Sequence, residues 1–108
     1  MLPIGLTRPA DFEPRVLRAQ RPVLVTFRTE SDSPSLQLFP ALSELAAGFA
    51  SRVDVVAVDI NQCPEIAKTY EIRGIPTMIL FRDGVPVARK YGSLPHRILA
   101  AWLEEQLA

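Results

Sequence analysis

Two short runs constrain this chain more than anything else in it: PVLVTF over Pro22–Phe27 and VDVVAV over Val53–Val58. Each is β-branched or apolar at nearly every position, without the polar alternation of a strand that has one wet face, so each reads as a strand buried on both faces. Such strands need helices above and below the sheet. A chain of 108 residues can enclose one core of that kind. The expectation is a single domain spanning residues 1–108.

The segments around the two runs read as helices. Phe12, Val16 and Leu17 recur at helical spacing over Pro9 to Ala19, with Thr7 as the expected cap. Between the strands, Leu38, Leu42, Leu45, Ala46 and Phe49 share one face of a helix from Pro34 to Ala50, which Pro40 should kink. After the second strand Asn61 can cap a short helix through Tyr70, with Pro64 in its first turn. Asp83-Gly84 then joins Thr77–Phe81 to Val85–Tyr91 as an antiparallel hairpin, and Pro86 marks the second arm as an edge strand. Ser93 is the expected cap of a closing helix whose stripe is Ile98, Leu99, Trp102, Leu103 and Leu107. The predicted fold class is therefore α/β, a mixed sheet of parallel strands plus a C-terminal antiparallel hairpin, sandwiched by helices.

Composition narrows the chemistry. Hydrophobic residues make up 48% of the chain and charged ones 22%, as in folded domains and unlike disordered ones. Twelve basic side chains balance twelve acidic ones, which removes the field that would gather nucleic acid or an anionic membrane. Neither is an expected partner. Residues 1–10 show no basic stretch followed by an apolar one, and no apolar run is long enough to span a bilayer, so a cytoplasmic location is expected. Cys63 is the one cysteine and His96 the one histidine; no disulfide can close within the chain and no Cys/His zinc site can assemble. No metal and no cofactor are expected.

With the strand–loop–helix of Val23 to Ala50, the segment Arg73-Gly74-Ile75-Pro76-Thr77, the Asp83-Gly84 hairpin and Gly92 in this order, the chain resembles the thioredoxin family from about residue 9 to its end. The resemblance implies the thioredoxin fold and a cis proline at Pro76. It also implies a Cys-x-x-Cys motif after the central strand, and there the chain departs: the window reads Ser31-Asp32-Ser33-Pro34-Ser35. Asp32 and Ser35 stand where the family carries its two sulfurs, and neither side chain can exchange with a disulfide. Thr26 falls on the family's buried acid, Ala57 on a lysine beside it, and Arg28 on an aromatic that covers the active site. The segment Leu36–Ala46 is similar to the thioredoxin domain of chaperedoxin-type proteins.

The candidate residues each carry two readings. Asp32 either caps the long helix, a contribution of about 0.5 to 2 kcal/mol, or presents a permanent anion to a basic group on a partner. Pro76 either builds a turn or, with the backbone of Ile75, keeps open a strand-like docking groove. Cys63, read as lying in the first turn of its helix, is either a small buried hydrophobe or a thiol whose pKa the helix dipole lowers, against the opposing charges of Asp59 and Glu65. His96 beside Arg97 reads as solvated surface, and Trp102 as core.

From these residues the expected function is a redox-inactive, thioredoxin-like module, chaperone-like in action. It would bind a protein or peptide through a groove of Ser31, Asp32, Pro34, Ile75, Pro76 and Gly92, with Asp32, Ser33, Pro34 and Ser35 as degenerate active-site positions and no catalytic residue. The alternative is a thiol redox protein, oxidoreductase or sensor, working through Cys63 alone. A third reading, dimerisation through the Val85–Tyr91 edge, is opposed by Pro86, Arg89 and Lys90; a monomer or weak homodimer is expected.

Overall fold

The computed structural model describes residues 4–6, 8–29 and 33–108. Its sheet has five strands in the order β1-β3-β2-β4-β5: β1 Ile4–Leu6, β2 Val23–Arg28, β3 Asp54–Asp59, β4 Thr77–Arg82 and β5 Val85–Tyr91. β1 and β2 pair parallel with β3, while β4 runs antiparallel to both β2 and β5. The helices are α1 Ser33–Gly48, α2 Pro64–Thr69 and α3 His96–Leu107. This is the α/β arrangement expected from the sequence, with β2 at the centre and β5 at an edge.

Side-chain alternation along β2 assigns the two faces. Leu24 points into a cluster with Leu38, Leu42 and Leu45 of α1, Val55, Met78, Leu80, and Leu99 and Leu103 of α3. Val23, Val25 and Phe27 point the other way, into a cluster with Leu6, Phe12, Val16, Val56, Val58, Cys63, Ile79 and Phe81. All of these β2 side chains are fully buried, each fully buried aliphatic contributing about 1.5–3 kcal/mol. Tyr70 completes the second face, its ring edge-on to Phe81 at 5.1 Å and tilted against Phe12 at 5.7 Å.

Several local expectations are corrected. The first helix is instead a 3₁₀ turn over Pro9–Asp11 followed by a π turn over Glu13–Leu17, in which the Arg18 N–H donates to the Glu13 carbonyl at 2.8 Å. Pro14 has no N–H to donate four residues back and its ring crowds the carbonyl there, which disfavours regular α-helical bonding across it. Phe12 and Val16 are nevertheless buried, as their spacing requires. Thr7, the expected cap, lies outside the described residues. β1 escapes a sequence reading because it is three residues long with a central glycine.

Helix boundaries shift for equally local reasons. α1 runs through Pro40, which lies on its exposed side, and it ends at Gly48 as Phe49–Arg52 turns the chain into β3, with Val53 N–H donating to the Phe49 carbonyl at 2.8 Å. Cys63, not Asn61, is the residue before α2; the Asn61 N–H instead donates to Asp59 Oδ1 at 2.8 Å. α3 is preceded by Pro95 rather than capped by Ser93, because a residue before proline is pushed out of the helical region. On α3, Leu99 and Leu103 are buried and Trp102 and Leu107 pack at the margin, but Ile98 is exposed.

The hairpin turn meets its sequence signal: Asp83 and Gly84 both take positive φ, 54° and 79°, the geometry of a two-residue turn matched to strand twist. Beyond it Phe81 pairs with Pro86 whereas Leu80 pairs with Ala88. Val87 is thus an extra residue in the edge strand, a bulge at the place where Pro86 lacks a donor. A Cβ on Gly84 would stand 2.6 Å from the Leu17 carbonyl oxygen. Gly84→Ala combines that backbone clash with left-handed strain, and a loss of about 2 to 3 kcal/mol is expected in urea denaturation.

Candidate functional site

Parallel pairing brings the carboxyl ends of β1, β3 and β2 to one end of the sheet, the end where open α/β sheets bind ligands. The antiparallel strands add to it the start of β4 and the finish of β5, since Phe27 pairs with Thr77 and Thr77 with Tyr91. Arg28 and Asp59 close the parallel strands in register with each other.

Of the site residues expected from the sequence, Ile75, Pro76 and Gly92 are brought together here. The Ile75–Pro76 peptide is cis, the Gly92 N–H donates to the Pro76 carbonyl at 2.9 Å, and Thr77 Oγ1 donates to the Gly74 carbonyl at 2.5 Å. Pro76 is buried, with Ile75 and Gly92 half-buried. Ser33, Pro34 and Ser35 form the first turn of α1. Ser31 and Asp32 lie outside the described residues.

Cys63 belongs to the same end of the sheet, four residues past Asp59, with its N–H donating to the Asp59 carbonyl at 2.9 Å. It is not a first-turn residue but the one before α2, and its side chain is fully enclosed in the cluster of Phe12, Val16 and Phe27. Burial pushes the thiol's pKa up, and the negative charge of Asp59 adds to the rise. A helix of only six residues offers too little dipole to offset desolvation. At neutral pH the thiol is therefore held protonated.

Two features of the neighbourhood had no sequence signal. Glu71 sits at φ 54° just past the end of α2, where Ile72 N–H donates to the Ala67 carbonyl at 2.9 Å and Glu71 N–H to the Lys68 carbonyl at 3.1 Å. That is the helix-ending motif glycine usually supplies, and no glycine marks it here. Arg89 reaches back from β5 to donate to the Tyr70 carbonyl at 2.6 Å, tying the edge strand to this turn. Among the described residues no group of His, Cys, Asp and Glu can hold a metal ion, and no helix is long and apolar enough to cross a membrane.

Thr26, read as the replacement of a buried acid, is fully buried between Ala57 and Met78, and its hydroxyl finds no partner among the described residues. A buried hydroxyl without a hydrogen bond is a cost that an isosteric methyl removes. Thr26→Val is expected to raise stability by about 1 kcal/mol in urea unfolding. The Cys63 shift makes a second prediction. Because the folded state holds the proton more tightly than the unfolded chain, its contribution is present at neutral pH and is lost as pH rises above the ordinary thiol range of about 8.5. The urea midpoint should fall between pH 8 and pH 10, and fall less steeply in Cys63→Ala.

Comparison with known proteins follows this geometry. The thioredoxin family profile matches residues 4–105. A thioredoxin of Rhodospirillum rubrum is 41% identical over 95 residues, covering 88% of this chain and 91% of the relative. Thioredoxin C-2 of Corynebacterium nephridii is 37% identical over 101 residues, 94% of each chain, and a thioredoxin of Acidithiobacillus ferridurans is 41% identical over 97 residues, 90% of each. These relatives bear the name of ordinary thioredoxins, and none that of a binding or chaperone module. They overturn the expectation of a redox-inactive, chaperone-like protein and favour the alternative of thiol redox chemistry. With its fold, its site-end geometry and this match along nearly its whole length, the chain belongs to the thioredoxin family.

Proposed function

We propose that the chain is a thioredoxin-type thiol redox protein that acts on a protein disulfide with Cys63 as its one working sulfur. The observation that carries this reading is the match to thioredoxins over residues 4–105 in a chain holding a single cysteine. Thiol–disulfide exchange requires a sulfur nucleophile, and no other side chain supplies one.

As thiolate, Cys63 Sγ attacks one sulfur of the partner's disulfide. A mixed disulfide forms, the partner's S–S bond breaks, and the released partner thiolate takes up a proton. A low-molecular-weight thiol then attacks the partner's sulfur in the mixed disulfide and frees Cys63. A second such thiol opens the partner's remaining mixed disulfide, so both electrons come from small thiols and the chain is regenerated. With Cys63 enclosed beside α2, exchange proceeds from a locally opened form of the segment that follows β3. A slow, gated thiol suits sensing better than rapid turnover. Partner docking beside Ile75, Pro76 and Gly92, a monomeric state, and a reducing, cytoplasmic setting that keeps a single thiol free belong to the same reading.

Incubation with glutathione disulfide, followed by intact mass, tests it. One adduct is expected on the native chain, formed several-fold faster in sub-denaturing urea, and none on Cys63→Ser. Glutathione-dependent reduction of a protein disulfide by the native chain is expected to vanish in the same variant. No adduct on the native chain, or turnover that survives Cys63→Ser, would overturn the reading.

A further inference from the structure

We propose that Arg89 latches residues 61–72, the segment that carries α2, over Cys63, so that release of this one contact opens the thiol while the sheet stays folded. The inference rests on the thiol-redox reading, which requires Cys63 to be reached, and deepens it by naming what opens and what holds it closed.

α2 is weakly anchored along its own length. Within it only Ala67 is buried and Ile66 half-buried, while Pro64, Glu65, Lys68 and Thr69 are exposed. Among the described residues α1 packs closely on α3 and on β3, whereas the backbone of α2 approaches other elements only sparsely. The segment is held at its two ends instead. Cys63 fixes the beginning, enclosed in the cluster of Phe12, Val16 and Phe27. Tyr70 fixes the end, its ring 5.7 Å from that of Phe12, 6.4 Å from Phe27 and 5.1 Å from Phe81.

Arg89 acts on that second end. In register with Ile79 of β4, it takes the face of the sheet on which Cys63 is enclosed. From there its Nη2 donates to the Tyr70 carbonyl at 2.6 Å. Tyr70 is the residue that ends α2, so its carbonyl has no donor within the helix, and a guanidinium donor makes the bond charge-assisted. The next residue, Glu71, is held at φ 54°, a left-handed conformation that is costly for any residue with a Cβ. That strain is relieved when the turn comes free. A segment with few buried contacts and a strained exit opens at a lower free energy than the whole domain, and the long-range bond from Arg89 sets how often it does so.

The test is alkylation of the single thiol by iodoacetamide in rising sub-denaturing urea, followed by intact mass, with the urea midpoint measured alongside. The native chain is expected to label faster than global unfolding allows and with little dependence on urea, because a small segment exposes little surface. Arg89→Met keeps the aliphatic stem without the donor and is expected to label about tenfold faster at low urea. Arg89→Lys keeps a charged donor and is expected to fall between the two, which leaves a reading if the Met variant does not fold. An Arg89 that merely stabilises the domain would lower the urea midpoint and leave the low-urea rate unchanged. In hydrogen exchange of the native chain, the amides of Ala67, Tyr70 and Ile72, bonded within the segment, are expected to exchange together and ahead of those of β2 and β3. Labelling that tracks global unfolding, a low-urea rate unchanged in the Arg89 variants, or segment amides as slow as those of the sheet overturns the proposal. Alkylation involves no disulfide, so failure of the glutathione adduct leaves this test standing.

Discussion

Everything in this fold depends on covering β2 from both sides. Its residues have no wet face, so the chain must supply two separate apolar surfaces, and it does so with parts distant in sequence: α1 and α3 on one side, the irregular N-terminal turns and α2 on the other. The parallel alignment of β3 and β2 follows from the same demand, because the helix that covers one face also carries the chain back to begin the next strand. Short hydrogen-bonded turns such as Phe49–Arg52 make that return compact.

That arrangement has a chemical consequence. It gathers Arg28, Asp59, Pro76 and Gly92 at one end of the sheet, while the same packing that stabilises the second face encloses Cys63. The residue that thiol chemistry needs is thus part of the core that holds the site end together. Desolvation and the Asp59 charge oppose thiolate formation, so reactivity and local stability are coupled. Arg28 is the converse case, a charged group whose inner nitrogen has lost water without gaining an acceptor among the described residues.

Much of this was legible in the sequence, and for identifiable reasons. The three inner strands and the hairpin follow from β-branched runs and an Asp-Gly turn, signals that act over a few residues. The misses are where a local signal was overridden. Pro14 lies in a π turn where periodicity reads one regular helix, Pro95 displaces the Ser93 cap, and Glu71 takes a conformation that no glycine announces. At the end of the sheet, Ile75, Pro76 and Gly92 were expected together from the family resemblance and lie together, whereas the Arg89 contact to Tyr70 joins segments that nothing in the sequence links. The functional expectation drawn from the missing Cys-x-x-Cys pair was corrected by likeness along the whole chain, because one motif speaks to one mechanism and not to the class of chemistry.

The sequence by itself determined the fold class, the number of sulfur atoms and the absence of a second thiol to resolve a mixed disulfide within the chain, since these depend on composition and short-range pattern alone. Only the tertiary structure decided that Cys63 is enclosed with a raised pKa and that, among the described residues, the Thr26 hydroxyl is without a partner and the inner nitrogen of Arg28 lacks an acceptor. Desolvation and hydrogen-bond satisfaction belong to the space between elements, and that space exists only once β2 has been covered on both of its faces.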